Sequence, residues 1–400
     1  MLREQEVVGS SPVTPTRVWN GPQIPFDGVC GLFFPQIAME ICYNPLMKKY
    51  TYVQHIKTFS IFIVVIYHCL LFYSDNVFFP ERAAFVSPVI SFICDLLYPI
   101  LVPSFFVASG FLLPHNYWKH DRSIPAMIGN RAKRLLVPYY LYGALWLVPL
   151  YHFFDINSYG RPESKAWPDE YFSMIMGIHS DHLWFMWLLF WAALLFVLMK
   201  PLIMKKKLII ISVIAFAVSM CINFFLQDFP YFKLSQTAPF ILCFLVGVWF
   251  GSYSDKLEKI PSWVLYLIVA VLFSGNVCYN IIKPDEFPWL MIVRVTSGAM
   301  FFLLFLALSR TKVHQAVANN RLFKFTDSHN YPIYCFGEPL NYVMLRLFYK
   351  WFGQNEYLTL FLSIICTFVL IFSIVQLQDM VKSLYRKLFV HAEEAKDEGT

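Results

Sequence analysis

Residues 55–73 read HIKTFSIFIVVIYHCLLFY, an apolar run interrupted by Lys57 and His68. The run has the length, about 20 residues, that a helix needs to cross the hydrocarbon layer of a bilayer. Lys57 and His68 are eleven positions apart. At about 100° per residue, eleven steps return a helix to within roughly 20° of its starting face and advance it about 16 Å. Both side chains therefore share a face with Ile61 and Val64. Taken singly, Lys57 reads as a snorkelling anchor at the membrane edge and His68 as a histidine bonded to a neighbouring helix. Ionisable groups inside a span normally face a cavity or the bundle interior and mark function. A cation with a titratable base above it on one face is such a mark.

Composition extends this reading to the whole chain. Of its 400 residues, 58% are hydrophobic, 19% aromatic and only 14% charged, and the mean hydropathy is +0.53. That profile excludes a soluble globular protein and predicts an all-α, polytopic membrane protein. Ten spans are expected, at about 55–75, 86–113, 135–154, 182–199, 208–226, 237–252, 261–280, 288–309, 328–349 and 357–379. With the start of the first span placed inside, the inner loops and tail hold nineteen Lys and Arg against six in the outer loops. This contrast is the positive-inside pattern, and it puts both termini in the cytoplasm. The formal charge of +6 is spread over short loops, so it reports topology and not a nucleic-acid partner.

Three regions are expected. Residues 1–46 carry no hydrophobic period and no signal-peptide pattern. Their GSSPVTPT run resembles a reading frame extended backwards through a transfer-RNA gene, so 1–46 reads as a mis-annotated or disordered extension. Residues 47–380 form the membrane unit, and 381–400 a charged cytoplasmic tail. The nine cysteines give neither a disulfide framework nor metal-ligand spacing, and no metal is expected.

Four further segments carry candidate chemistry. In GNRAKRLLVPYYL (129–141), Arg131 and Arg134 precede an apolar run on the cytoplasmic side, with Tyr139 entering the membrane. Such a cluster either sets topology or holds phosphates through charge-assisted hydrogen bonds. In FFVASGFLL (105–113), Ala108, Ser109 and Gly110 permit close helix approach. In SDHLWFMW (180–187), Asp181, His182 and Trp184 open a span at the outer face, either as a membrane anchor or as a contact for a sugar or headgroup. In SHNYPIYCFGEPL (328–340), Glu338 lies inside a span, and Arg294 lies inside another. Intramembrane charges usually pair, so Arg294 with Glu338 is the expected ion pair.

Together these segments resemble the integral-membrane acyltransferase family called acyltransferase-3. Its pattern is a basic residue followed eleven positions later by a histidine, then FF-x-x-SGFLL, then R-x-x-R before LLxPYY, then HLWF, then S-x-x-Y-x-IY. Here these fall at Lys57 to His68, Phe105 to Leu113, Arg131 to Arg134, His182 to Phe185 and Ser328 to Tyr334. The resemblance covers about residues 50–380. It departs at three places: the family's basic residue is typically arginine, an aspartate usually stands where Gln54 is, and a histidine usually stands where Gly337 is.

The resemblance implies an O-acyltransferase of the cell envelope, in the bacterial inner (plasma) membrane. It would move an acyl group, most often acetyl, from cytoplasmic acyl-CoA to a hydroxyl of a glycan or glycolipid, as in polysaccharide O-acetylation. Residue by residue, it implies His68 as the catalytic group and Lys57, Arg131 and Arg134 as the donor site for acetyl-CoA. Asp181, His182, Trp184 and Tyr139 are the expected acceptor contacts, with Arg294, Glu338 and Ser109 in support. The expected partners are acyl-CoA, the acceptor and membrane lipid. A many-helix bundle with buried charges also fits a transporter or flippase. The absence of an internal repeat counts against that class.

Overall fold

The apolar run around His55 forms α1, Thr51–Leu71. In the computed structural model, the described residues are 50–75, 86–119, 122–156, 161–282, 287–353 and 355–385. The extension expected over 1–46 and most of the tail expected over 381–400 lie outside them. The described chain is helical, with α2 at Pro88–Lys119, α3 at Ile124–Tyr142, α4 at Trp184–Leu198, α5 at Leu208–Phe225 and α6 at Ala238–Ser252. There follow α7 at Ser262–Ile282, α8 at Phe287–Leu308, α9 at Asn330–Phe352 and α10 at Glu356–Tyr385. Among the described residues there is no strand.

Among the described residues, eight helical segments are long and apolar enough to cross a membrane. The other two expected spans fall on α3, which continues through a π-helical turn at Gly143–Leu147 into Val148–Phe153, and on α9. Both are helical where spans were expected, but polar residues lower their hydropathy. In α3 these include Arg131 and Arg134; in α9 they include Glu338 and Asn341. The chain is an all-α polytopic membrane protein.

Small residues set the inner packing. A Cβ on Gly110 of α2 would fall onto the Phe244 carbonyl of α6, and one on Gly247 of α6 onto the Val107 carbonyl. Only glycine lets the two backbones touch there. Ala108 and Ser109 are buried beside this crossing, so FFVASGFLL is a packing element. Helices α5, α7 and α10 are the least covered and turn side chains such as Phe225, Val271 and Phe361 outward. An apolar exterior of this kind suits lipid, not water.

Candidate functional site

Helices α1, α4 and α9 meet around one carboxylate. Glu338, 6% exposed, sits on α9 with its Oε1 3.2 Å from His68 Nε2 and its Oε2 3.0 Å from His182 Nδ1. His182 lies in the short 3-10 turn Asp181–Leu183 that leads into α4. Asn341, one turn beyond Glu338, donates to the Val65 carbonyl of α1 at 2.9 Å and pins α9 to α1. The Tyr334 hydroxyl donates to the His182 carbonyl and ties α9 to the turn.

Backbone carbonyls fix both imidazoles. A carbonyl oxygen only accepts, so its histidine neighbour must supply the proton. Val64 O is 2.8 Å from His68 Nδ1, and Cys335 O is 3.1 Å from His182 Nε2. The Cys335 carbonyl is available because Pro339, four residues on, has no N–H to offer it. With those hydrogens assigned, each neutral ring turns a bare nitrogen towards Glu338. An ionised carboxylate between two lone pairs has no donor to accept from. His182 Nδ1 and Glu338 Oε2, despite their 3.0 Å separation, are not aligned as a hydrogen bond. Hydrogen bonds across the trio would require at least one further proton, on Glu338 or on a ring.

The trio opens onto a cavity of about 390 Å³. Its apolar wall includes Leu101, Val102 and Phe105, and Asp181, Trp184 and Tyr98 also face it. Asp181 Oδ2 is buried without a hydrogen-bond partner, and its neighbouring cation is Lys233, whose ammonium donates to the Ile178 carbonyl at 2.9 Å.

Arg294 also lines this cavity but does not pair with Glu338 as expected. Both oxygens of Glu338 face the two histidines. Arg294 instead donates to the Tyr98 hydroxyl at 3.2 Å and lies over the rings of Tyr98 and Phe240, 5.4 and 5.3 Å from their centres. The reason is helical phase: α8 presents Arg294 to α2 and α6, whereas Glu338 faces α1 and the Asp181–Leu183 turn.

The expected donor residues gather at the other end of α1. Arg131, Arg134 and Asp327 are the charged neighbours of Lys57. Asp327 ends the short helix Arg321–Ser328, where it accepts from the Gln54 amide and, at 2.6 Å, from the Thr58 hydroxyl. Burial raises the Asp327 carboxyl above its usual range, while these hydrogen bonds and Lys57 act against the rise. A carboxylate from another helix thus stands beside Gln54, where the family pattern has its own aspartate. Nothing local in the sequence singles out Asp327.

Two expected contacts lie elsewhere. Tyr139 is fully buried and donates to the Met174 carbonyl at 2.6 Å, away from the cavity lining. Ser109 belongs to the α2–α6 crossing and also does not line the cavity. At Gly337, a Cβ would stand 3.0 Å from Val65 Cγ2, so the α9–α1 contact has no room for the histidine of the family pattern without displacement.

One group among the described residues brings three potential metal ligands together. Asp181, His182 and Glu338 offer ligand atoms within 4.8 Å of one another. The carbonyl that orients His182 is also what a metal-binding histidine would need. Any cation there would compete with the proton that the geometry calls for.

The family model described as Acyltransferase domain (acyltransferase-3) matches residues 50–376. No curated protein and no solved structure matches the chain.

Proposed function

The chain belongs to the acyltransferase-3 family and is an integral-membrane acyltransferase, and from that premise we propose that it moves an acetyl group from cytoplasmic acetyl-CoA to a hydroxyl of a cell-surface glycan or glycolipid. The membrane is taken to be the bacterial inner (plasma) membrane. The observation that carries the reading is Glu338 held between His68 and His182, each with its far nitrogen committed to a carbonyl. Such a base is oriented and is paired with a group that stabilises its charged form.

Donor binding follows from charge. Acyl-CoA is rich in phosphate, and Lys57, Arg131 and Arg134 gather beside one end of α1. Arginine forks suit phosphate oxygens, and lysine adds a point charge. His68 is about 16 Å farther along α1. A pantetheine arm threaded between the helices would carry the thioester to the cavity.

In the transfer step, the acceptor hydroxyl displaces Glu338 Oε1 from His68 Nε2, which takes its proton as the hydroxyl oxygen bonds to the thioester carbonyl carbon. The C–S bond then breaks, and the leaving thiolate takes the proton from the imidazolium. Glu338 holds that imidazolium while it is charged. Direct acylation of His68, followed by transfer to the hydroxyl, uses the same nitrogen.

Mass spectrometry of surface glycans and lipids from cells with and without the chain tests the proposal. One acetyl mass should appear with the wild-type chain and be missing with His68→Ala. No acyl difference in any glycan or lipid would overturn it.

A further inference from the structure

Arg294 is a guanidinium in a membrane-embedded cavity, and among the described residues no carboxylate is in ion-pair contact with it. Its guanidinium carbon lies near the rings of Tyr98 and Phe240, and one of its N–H groups is spent on the Tyr98 hydroxyl. A guanidinium carries five N–H donors, all in the plane of the group. Among the described residues only the Tyr98 hydroxyl accepts from them, which leaves donors for another partner. An edge of that plane fits two oxygens of one oxyanion.

The cavity wall contributed by α5 and by residues 231–239 has a different chemistry from the Leu101–Phe105 wall. It presents Asn223, Ser235 and Gln236. Among the described residues, nothing hydrogen-bonds the side-chain amides of Asn223 and Gln236. Unspent amides and a hydroxyl beside an unpaired guanidinium suit a ligand with several hydroxyls and one negative group.

The donor does not supply that negative group. Its phosphates have cations at Lys57, Arg131 and Arg134, about 16 Å along α1 from His68. Arg294 lines the same cavity as His68, so an anion on it belongs to the molecule whose hydroxyl reacts. We infer that Arg294, with Asn223, Ser235 and Gln236, forms a subsite for an acidic sugar, whose carboxylate seats on the guanidinium while a hydroxyl faces His68. The inference rests on the acyltransferase reading for its acceptor, but not for its binding.

Binding to the purified full chain in lipid nanodiscs tests it without turnover. The probes are octyl glucoside, octyl glucuronide and octyl phosphate, each below its micelle-forming concentration. Wild type should bind the glucuronide about tenfold or more tighter than the glucoside, a margin one charge-assisted fork can supply. Arg294→Gln should bring the two to parity, with the larger loss on the glucuronide. Arg294→Lys should keep part of the preference, and it carries the test if the glutamine variant unfolds early. Equal affinity of wild type for both sugars, or a preference that survives in Arg294→Gln, would overturn the subsite. Tight octyl phosphate with weak glucuronide would overturn the carboxylate in favour of a phosphorylated acceptor. Binding of the glucuronide through Arg294 without any acetyl transfer would sink only the enzymatic reading.

Discussion

His182 Nε2 donates to the carbonyl of Cys335 at 3.1 Å, joining the turn before α4 to α9 across 153 residues of chain. The bond exists because Pro339 withholds the amide that would otherwise fill that carbonyl. A helix defect in α9 thus selects the tautomer of a histidine in the turn before α4, and that choice aims Nδ1 at Glu338. One proline links backbone geometry to the protonation state of the site.

Replacing the base isolates chemistry from folding. His68→Ala should lower acetyl transfer by roughly a hundredfold or more, the contribution usual for a positioned base. Its thermal midpoint should stay close to wild type, because a side chain bordering a cavity leaves helix packing largely intact. Near-normal turnover in this variant would remove His68 from the mechanism.

Pro339→Ala should move stability and activity in opposite directions. Alanine restores the N–H that can bond the Cys335 carbonyl, which favours the helix but competes with His182. The expected result is a thermal midpoint equal to or above wild type, with kcat about threefold to tenfold lower. A variant with unchanged kcat would show that the carbonyl does not position His182 for turnover.

The basic cluster is tested by salt. Arg131→Ala with Arg134→Ala should raise the KM for acetyl-CoA by about tenfold at low ionic strength, and by less at high salt, where phosphate attraction is screened. Lys57→Arg should keep or improve donor affinity, because arginine adds a fork at the same charge. A donor KM that ignores the double substitution would return the cluster to a topology signal.

Chelators separate protons from metals at the trio. If Glu338 is held by protons, dialysis against EDTA should leave transfer unchanged. Added Zn²⁺ should inhibit, by claiming the lone pairs of Asp181, His182 and Glu338. Activity lost on chelation and restored by a metal would reassign the cluster as a metal centre.

Sidedness follows from charge counting alone. If both termini lie inside, as the charge count predicts, a single cysteine at Ser164 should react with an impermeant maleimide on intact cells, in a background without native cysteines. A single cysteine at Lys206 should stay protected until the membrane is opened. Labelling of Lys206 from outside would invert the topology and put Arg131 and Arg134 on the wrong face for a cytoplasmic donor.

The class of the protein was legible in the sequence because lipid imposes a local rule. Most spans must be apolar for about 20 residues whatever their neighbours do, so hydropathy and the run at 55–73 were enough for an all-α membrane bundle, although α3 and α9 carry polar residues that weaken the signal. The shared face of Lys57 and His68 was legible for the same reason, being a property of one helix. Partners between helices carry no such local signature. That Glu338 meets His68 and His182, that Arg294 turns to Tyr98 and Phe240, and that Asp327 stands beside Lys57 were decided by which faces of the helices meet. Those faces are set by backbone approaches such as Gly110 on Phe244 and Gly337 against Val65, and by the carbonyl that Pro339 leaves open. Only the packed bundle brings His68 and His182 around the carboxylate of Glu338, because the short-range contact that defines the site joins positions that are far apart along the chain.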